Sequence, residues 1–187
     1  MKSMGALEMG LTEDELQPLV TAWREANPHI TRFWWDVDTA VKKAVMYKTS
    51  VETHGFRFYY KCGMLFIDLP SGRRLSYVKP KIGIIRFGSD CVTYEGINLG
   101  KWTRLETYGP KITENLVQAV SRDILAFAMK NLRNCFIVGS VHDELIIECS
   151  PDIDLHEVCE QMGRTPPWLP GIELRADGYE CDFYMKQ

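Results

Sequence analysis

The feature that most limits what this chain can become is a change of hydrophobic period, twice, along its length. Apolar residues fall one helical turn apart at Leu16, Leu19, Val20 and Trp23, and again at Ile30, Phe33, Trp34, Val37, Val41 and Val45. From Thr49 they alternate by two for about sixty residues. From Thr113 to Leu132 helical spacing returns, at Leu116, Val117, Val120, Ile124, Leu125, Ala128 and Leu132. A helix buries a stripe and a strand buries alternate side chains, so neither pattern is satisfied by the other's backbone. The chain is therefore expected to be α+β, with helices on both sides of a β-rich block.

Local signals divide these blocks further. Thr12 followed by Glu15 has the form of a capping box for a helix ending near Ala26, and Asn27 is placed to cap a second helix with Pro28 at its first position. Turn signals stand at Pro70-Ser71-Gly72, Gly88-Ser89-Asp90 and Gly96. MLFIDLPSGRRLSYV reads as a hairpin around the first of them, with further strands at Ile82 to Phe87, Cys91 to Tyr94 and Trp102 to Tyr108. After the long helix come a hairpin, a short helix marked by Leu155, Val158, Cys159 and Met162, a stiff loop from Pro166 to Gly171, and a final strand in GIELRADGYECDFY.

At 187 residues and 45% hydrophobic, the chain can bury a sizeable core. No run of 18 apolar residues occurs, and the opening MKSMGALEMGLTEDE lacks a signal-peptide stretch, so a soluble, cytoplasmic protein away from membranes is expected. Six cysteines with no C-x-x-C pair suggest reduced, mostly buried thiols rather than a zinc framework or a disulfide lattice. Charge is uneven: eight basic residues stand against three acidic ones between Pro70 and Lys111, and eight acidic against three basic from Ser150 to Gln187. The basic stretch is either a solvated face or a surface that follows phosphates.

The chemistry concentrates in FIVGSVHDELIIECS, residues 136 to 150, where His142, Asp143 and Glu144 interrupt two apolar, β-branched runs. Such a pattern puts three ionisable groups at the tip of a buried hairpin. Ser140 with His142 is too isolated for a nucleophile and base, and His29, His54 and His156 sit in unrelated contexts, which argues against zinc. Hard oxygen ligands for Mg²⁺ fit better, since Mg²⁺ takes one or two carboxylates with waters and phosphates. A turn that is merely rich in acids is the other reading.

VHDE, with the preceding helix ENLVQAVSRDILAFAM, resembles the third signature motif of the family A DNA polymerases, most closely the phage or prophage members. Other segments agree in order: MGALEMGLTEDELQPLVTAWREANPHITRFW is similar to the helices after the nucleotide-binding helix of the fingers. SGRRLSYV is similar to the Gly-Arg-Arg segment before the palm helix, and TYGPKITENLVQA and RADGYECDFY are similar to phage versions of the palm helix and C-terminal strand. The resemblance implies trailing fingers helices over residues 1–60. Over 61–187 it implies the C-terminal part of a palm, an antiparallel sheet with a long helix packed on it, interrupted by a β-rich insert at about 62–108.

The resemblance also implies a nucleotidyltransferase, a DNA-directed DNA polymerase serving phage DNA replication. Asp143 would bind two Mg²⁺ ions, Glu144 would stand near them as a metal ligand or helper acid, and His142 would lie at the primer terminus. Gln118 would touch the minor groove, with Asn115 one turn away. Arg73 and Arg74 would meet backbone phosphate or hold fingers to palm. The implied partners are primer-template DNA, a dNTP and the N-terminal remainder of the polymerase, with self-association expected to cover exposed apolar surface.

The departures from the pattern are an earlier aspartate from the first motif and a helix bearing lysine and tyrosine, neither of which occurs. The metal site is thus expected to be incomplete and the chain inactive alone. A His-Asp phosphohydrolase would need helices and further histidines around the pair; a non-catalytic module that binds nucleic acid or a partner stays open.

Overall fold

The computed structural model describes residues 10–84 and 90–184. It is α+β, with four helices and two antiparallel sheets among the described residues. They form two compact units, one of Met1–Phe66 with Ser76–Thr113 and the other of Ile67–Leu75 with Glu114–Gln187.

The first unit opens with α1 (Glu13–Ala26) and α2 (Pro28–Tyr47). The Thr12 box forms: the Glu15 carboxylate accepts the Thr12 N–H at 2.9 Å and its hydroxyl at 2.8 Å, which holds the Glu15 carboxyl below its ordinary range. Asn27 does not cap α2. It is the only residue between the helices, and its side-chain amide turns back to donate to the Trp23 carbonyl at 2.8 Å, one of the acceptors that the end of α1 leaves open. Trp23 stacks on Trp34 with ring centroids 5.5 Å apart, which joins the two helices.

Val37, Ala40, Val41, Ala44 and Val45 are the buried face of α2. It packs on β1 (Val51–Thr53), β2 (Phe56–Lys61) and β5 (Asp90–Asn98), where Phe56, Phe58, Cys91 and Val92 are buried. With β3 (Met64–Asp68), β4 (Arg74–Ile84) and β6 (Lys101–Thr107), these strands form a six-stranded sheet in sequence order, an antiparallel meander. The proposed hairpin around Pro70-Ser71-Gly72 forms, and its second strand is longer than read, running on to Ile84; residues 85–87 of the separate strand expected there, and Gly88 and Ser89 of the next turn, lie outside the described residues. Pro80 is tolerated within this inner strand because the ladder is already broken by a bulge between Val78 and Lys81, with Lys79 at φ 45°.

Gly96 is not a turn. It lies inside β5, paired with Thr103, where a Cβ would come within 3.1 Å of Leu105. The turn is Leu99-Gly100, and like His54-Gly55 and Cys62-Gly63 it is a two-residue connection with both φ angles positive. α3 (Gly109–Asn131) starts in this unit, its first N–H donating to the Asp38 carboxylate at 2.9 Å.

In the second unit α3 buries Leu116, Ala119, Leu125 and Ala128, while Val117, expected on the apolar side, is exposed. β7 (Phe136–Val141) and β8 (Glu144–Glu148) form a separate two-stranded sheet, followed by α4 (Leu155–Met162). The hairpin is not buried as expected: Phe136 is 67% and Val138 49% exposed, because alternate residues of β7 face outward.

The final strand does not form either. Residues 172–177 keep alternating half-buried and exposed side chains, yet no ladder is assigned. The segment lies instead along α4, where a Cβ on Gly178 would meet Leu155 at 2.9 Å and Cys159 at 3.0 Å. The thiols are less buried than expected: Cys62, Cys149 and Cys181 are exposed and only Cys91 is fully buried. No helix among the described residues is long and apolar enough to cross a membrane.

Candidate functional site

β-branched and aliphatic residues make β7 and β8 strand-forming, and the register closes on Val141 opposite Glu144. Only His142 and Asp143 remain for the turn. His142 takes φ 52°, a left-handed conformation open to a non-glycine residue at modest cost when its side chain is free of the sheet. The tip thus presents His142, Asp143 and Glu144 together, all exposed to solvent.

Glu144 has a partner far along the chain. The Tyr184 hydroxyl donates to its carboxylate at 3.2 Å, and partial desolvation, together with that bond and the adjacent negative charge, raises the Tyr184 phenol above its ordinary value. The sequence carried no signal for this contact, since the tyrosine is 40 residues away in a segment read as a strand. Among the described residues no group of three or more His, Cys, Asp or Glu side chains gathers as a metal site. The tip offers hard carboxylate oxygen from two consecutive residues, a donor chemistry that suits Mg²⁺.

Gln118 is exposed on α3, its amide 3.5 Å from the Glu114 carboxylate one turn earlier; Asn115 is half-buried on the same helix. Arg73 and Arg74 are both engaged within the chain. Arg73 Nε donates to Asp123 at 2.6 Å and its terminal nitrogen to the Ala119 carbonyl at 2.8 Å, while Ser71 also donates to Asp123. Arg74 Nε pairs with Asp68 at 2.6 Å across the base of the same turn. The Gly-Arg-Arg segment thereby fastens the β3–β4 turn to α3.

The comparisons with known proteins give one class. Over nearly its whole length the chain is similar to part of a phage DNA polymerase. That relative is the DNA polymerase of Bacillus phage SP02, 48% identical over 189 aligned positions that take in 98% of this chain. The chain spans 29% of the relative's length. No protein-family model and no solved structure matches the chain.

Proposed function

We propose that this chain is the C-terminal, palm-containing portion of a family A DNA polymerase of phage or prophage type, acting in template-directed nucleotidyl transfer. One observation carries the reading: VHDE spans the tip of an antiparallel hairpin, with His142 and Asp143 as its turn, in a chain 48% identical to part of a phage DNA polymerase across 98% of its length. Residues 1–60 are read as the last helices of the fingers, and 61–187 as palm with an inserted β-rich stretch at about 62–108.

Asp143 is the metal-binding carboxylate in this reading. It stands at a rigid turn, where a short side chain holds its oxygens in one place. Two Mg²⁺ ions, when bound, favour ionisation of the primer 3′-hydroxyl and neutralise charge on the leaving pyrophosphate. Glu144, oriented by Tyr184, supports Asp143, and His142 faces the primer terminus. Gln118 meets the minor groove, where a side-chain amide can donate and accept without distinguishing most base pairs. Primer-template DNA and a dNTP are the substrates, and the N-terminal remainder of a polymerase supplies the missing first-motif carboxylate and the nucleotide-binding helix. Alone, the chain does not extend a primer.

A chimaera tests this. This chain would replace the corresponding part of the phage SP02 polymerase, and primer extension would be followed with Mg²⁺ and dNTPs. The chimaera is expected to extend, and Asp143→Asn to slow it by roughly a thousandfold, about 4 kcal/mol of transition-state stabilisation. Extension by the Asp143→Asn chimaera at the parental rate, or by the unassisted chain, would sink the proposal. The second reading is a module that binds DNA or a partner without chemistry. A folded chimaera that binds primer-template but never extends it would establish that alternative.

A further inference from the structure

The tip of the β5–β6 hairpin exposes three large apolar side chains. Leu99 is 95% exposed, Ile97 69% and Trp102 59%. Leu99 lies in the tight two-residue turn, at φ 48° with Gly100 at φ 76°, and Ile97 pairs directly with Trp102 across the ribbon. The indole is fixed, because its N–H donates to Glu95 at 3.2 Å. Exposed apolar residues scattered singly are ordinary, but three gathered at one hairpin tip mark an interaction surface.

The charges around the tip favour an anionic occupant. Lys101 sits beside the turn, and Arg104 and Lys79 flank the same ribbon, against the carboxylate of Glu95 among the described residues. Glu95 is held by both cations, by Arg104 at 3.2 Å and Lys79 at 2.9 Å, and Arg104 also donates to the Lys79 carbonyl at 3.2 Å and the Thr93 hydroxyl at 3.1 Å, which leaves the exposed Lys101 to meet an anion. The next acid along β6, Glu106, is six residues from Gly100, about 20 Å at strand rise. An apolar wedge on a ribbon whose cations outnumber its acid suits a nucleic acid better than an apolar protein groove: Lys101 meets phosphate, while Leu, Ile and Trp side chains enter between or stack on unpaired bases.

We propose that the β5–β6 tip binds DNA where duplex gives way to unpaired bases, Trp102 and Leu99 contacting the bases and Lys101 the phosphates. This rests on the reading of the chain as part of a DNA polymerase and gives its β-rich insert a task. The test is fluorescence anisotropy of the whole chain with a blunt labelled duplex and with the same duplex carrying an unpaired tail. The tail is expected to tighten binding about tenfold. Leu99→Ser and Trp102→Ala should each bring tailed DNA to within about twofold of blunt DNA, and Lys101→Glu should weaken the tailed complex with a smaller salt slope. Leu99→Ser disturbs no packing, so thermal melts of that variant should match the parent. Equal binding of both DNAs, or a tail preference unchanged in the variants, would overturn the tip's role and leave the polymerase reading intact. Failure of the chain to bind either DNA would overturn both. Variants that change sedimentation rather than DNA affinity would assign the tip to a protein contact and overturn the proposal.

Discussion

Arg73 holds Asp123 on α3 with a 2.6 Å ion pair, 50 residues apart in sequence, and the same guanidinium binds the Ala119 carbonyl. The sequence offered Arg73 as a contact to backbone phosphate or a clamp of fingers to palm, and the bonds it makes here fasten a turn to α3 within the chain. Arg73→Ala is expected to lower the unfolding free energy by roughly 1–3 kcal/mol, since it removes charge-assisted bonds and leaves a nearly buried carboxylate with Ser71 as donor but without its cation. Urea denaturation checks this; a variant as stable as the parent would show that the bonds contribute nothing.

Gly109 has no room for a side chain. A Cβ there would lie 2.3 Å from the Trp34 carbonyl oxygen and 2.7 Å from Asp38, and the neighbour is backbone that cannot swing aside. Gly109→Ala is expected to cost about 2–4 kcal/mol despite alanine's better helix propensity, because steric overlap outweighs the gain of about 1 kcal/mol from propensity. Thermal melting would reveal it.

Tyr184 and Glu144 predict an alkaline effect. The phenol is raised above its ordinary value of 10.0, by desolvation first and then by the Glu144 bond and charge. The folded state therefore favours the neutral phenol, so the stabilisation is complete below pH 10 and is lost as pH rises through the folded value. The difference between the 295-nm titrations of the parent and Tyr184→Phe should show a midpoint above 10.0, moving down towards it in Glu144→Gln. A midpoint unchanged by Glu144→Gln would remove Glu144 as a cause.

Thr107 has a buried hydroxyl with no hydrogen-bond partner among the described residues. Thr107→Val keeps the shape and removes an unsatisfied group in a strand, where valine is favoured, so a gain of roughly 0.5–1 kcal/mol is expected in melts.

Thiol labelling checks the first unit's core. Cys62, Cys149 and Cys181 should react quickly with an aromatic disulfide in the native chain, whereas Cys91 should react only on unfolding, since burial also pushes its thiol upward.

The elements were legible where period and local chemistry agree. Thr12 with Glu15, the β character of the stretch from Val51 to Thr107 and the VHDE turn all follow from patterns a few residues long, whereas the strand order does not. What failed needed information from elsewhere. Asn27 lies between the open carbonyls that end α1 and the open N–H groups that begin α2, and propensity does not say which it serves. Gly96 and Gly100 look alike as turn signals, and only the pairing of β5 with β6 decides between them. Residues 172–177 have strand alternation, but a ladder requires a neighbour that alternation does not supply. The site was legible as a constellation at a turn; Tyr184 was not, because nothing local joins it to Glu144.

Three connections in the meander, His54-Gly55, Cys62-Gly63 and Leu99-Gly100, are two residues long with both residues left-handed. None has slack. One extra residue in any of them would slip the adjoining strand by a position and turn its inward side chains outward. Insertions and deletions among descendants of this chain should therefore avoid all three sites, and a peptide tag spliced there would cost the sheet its register.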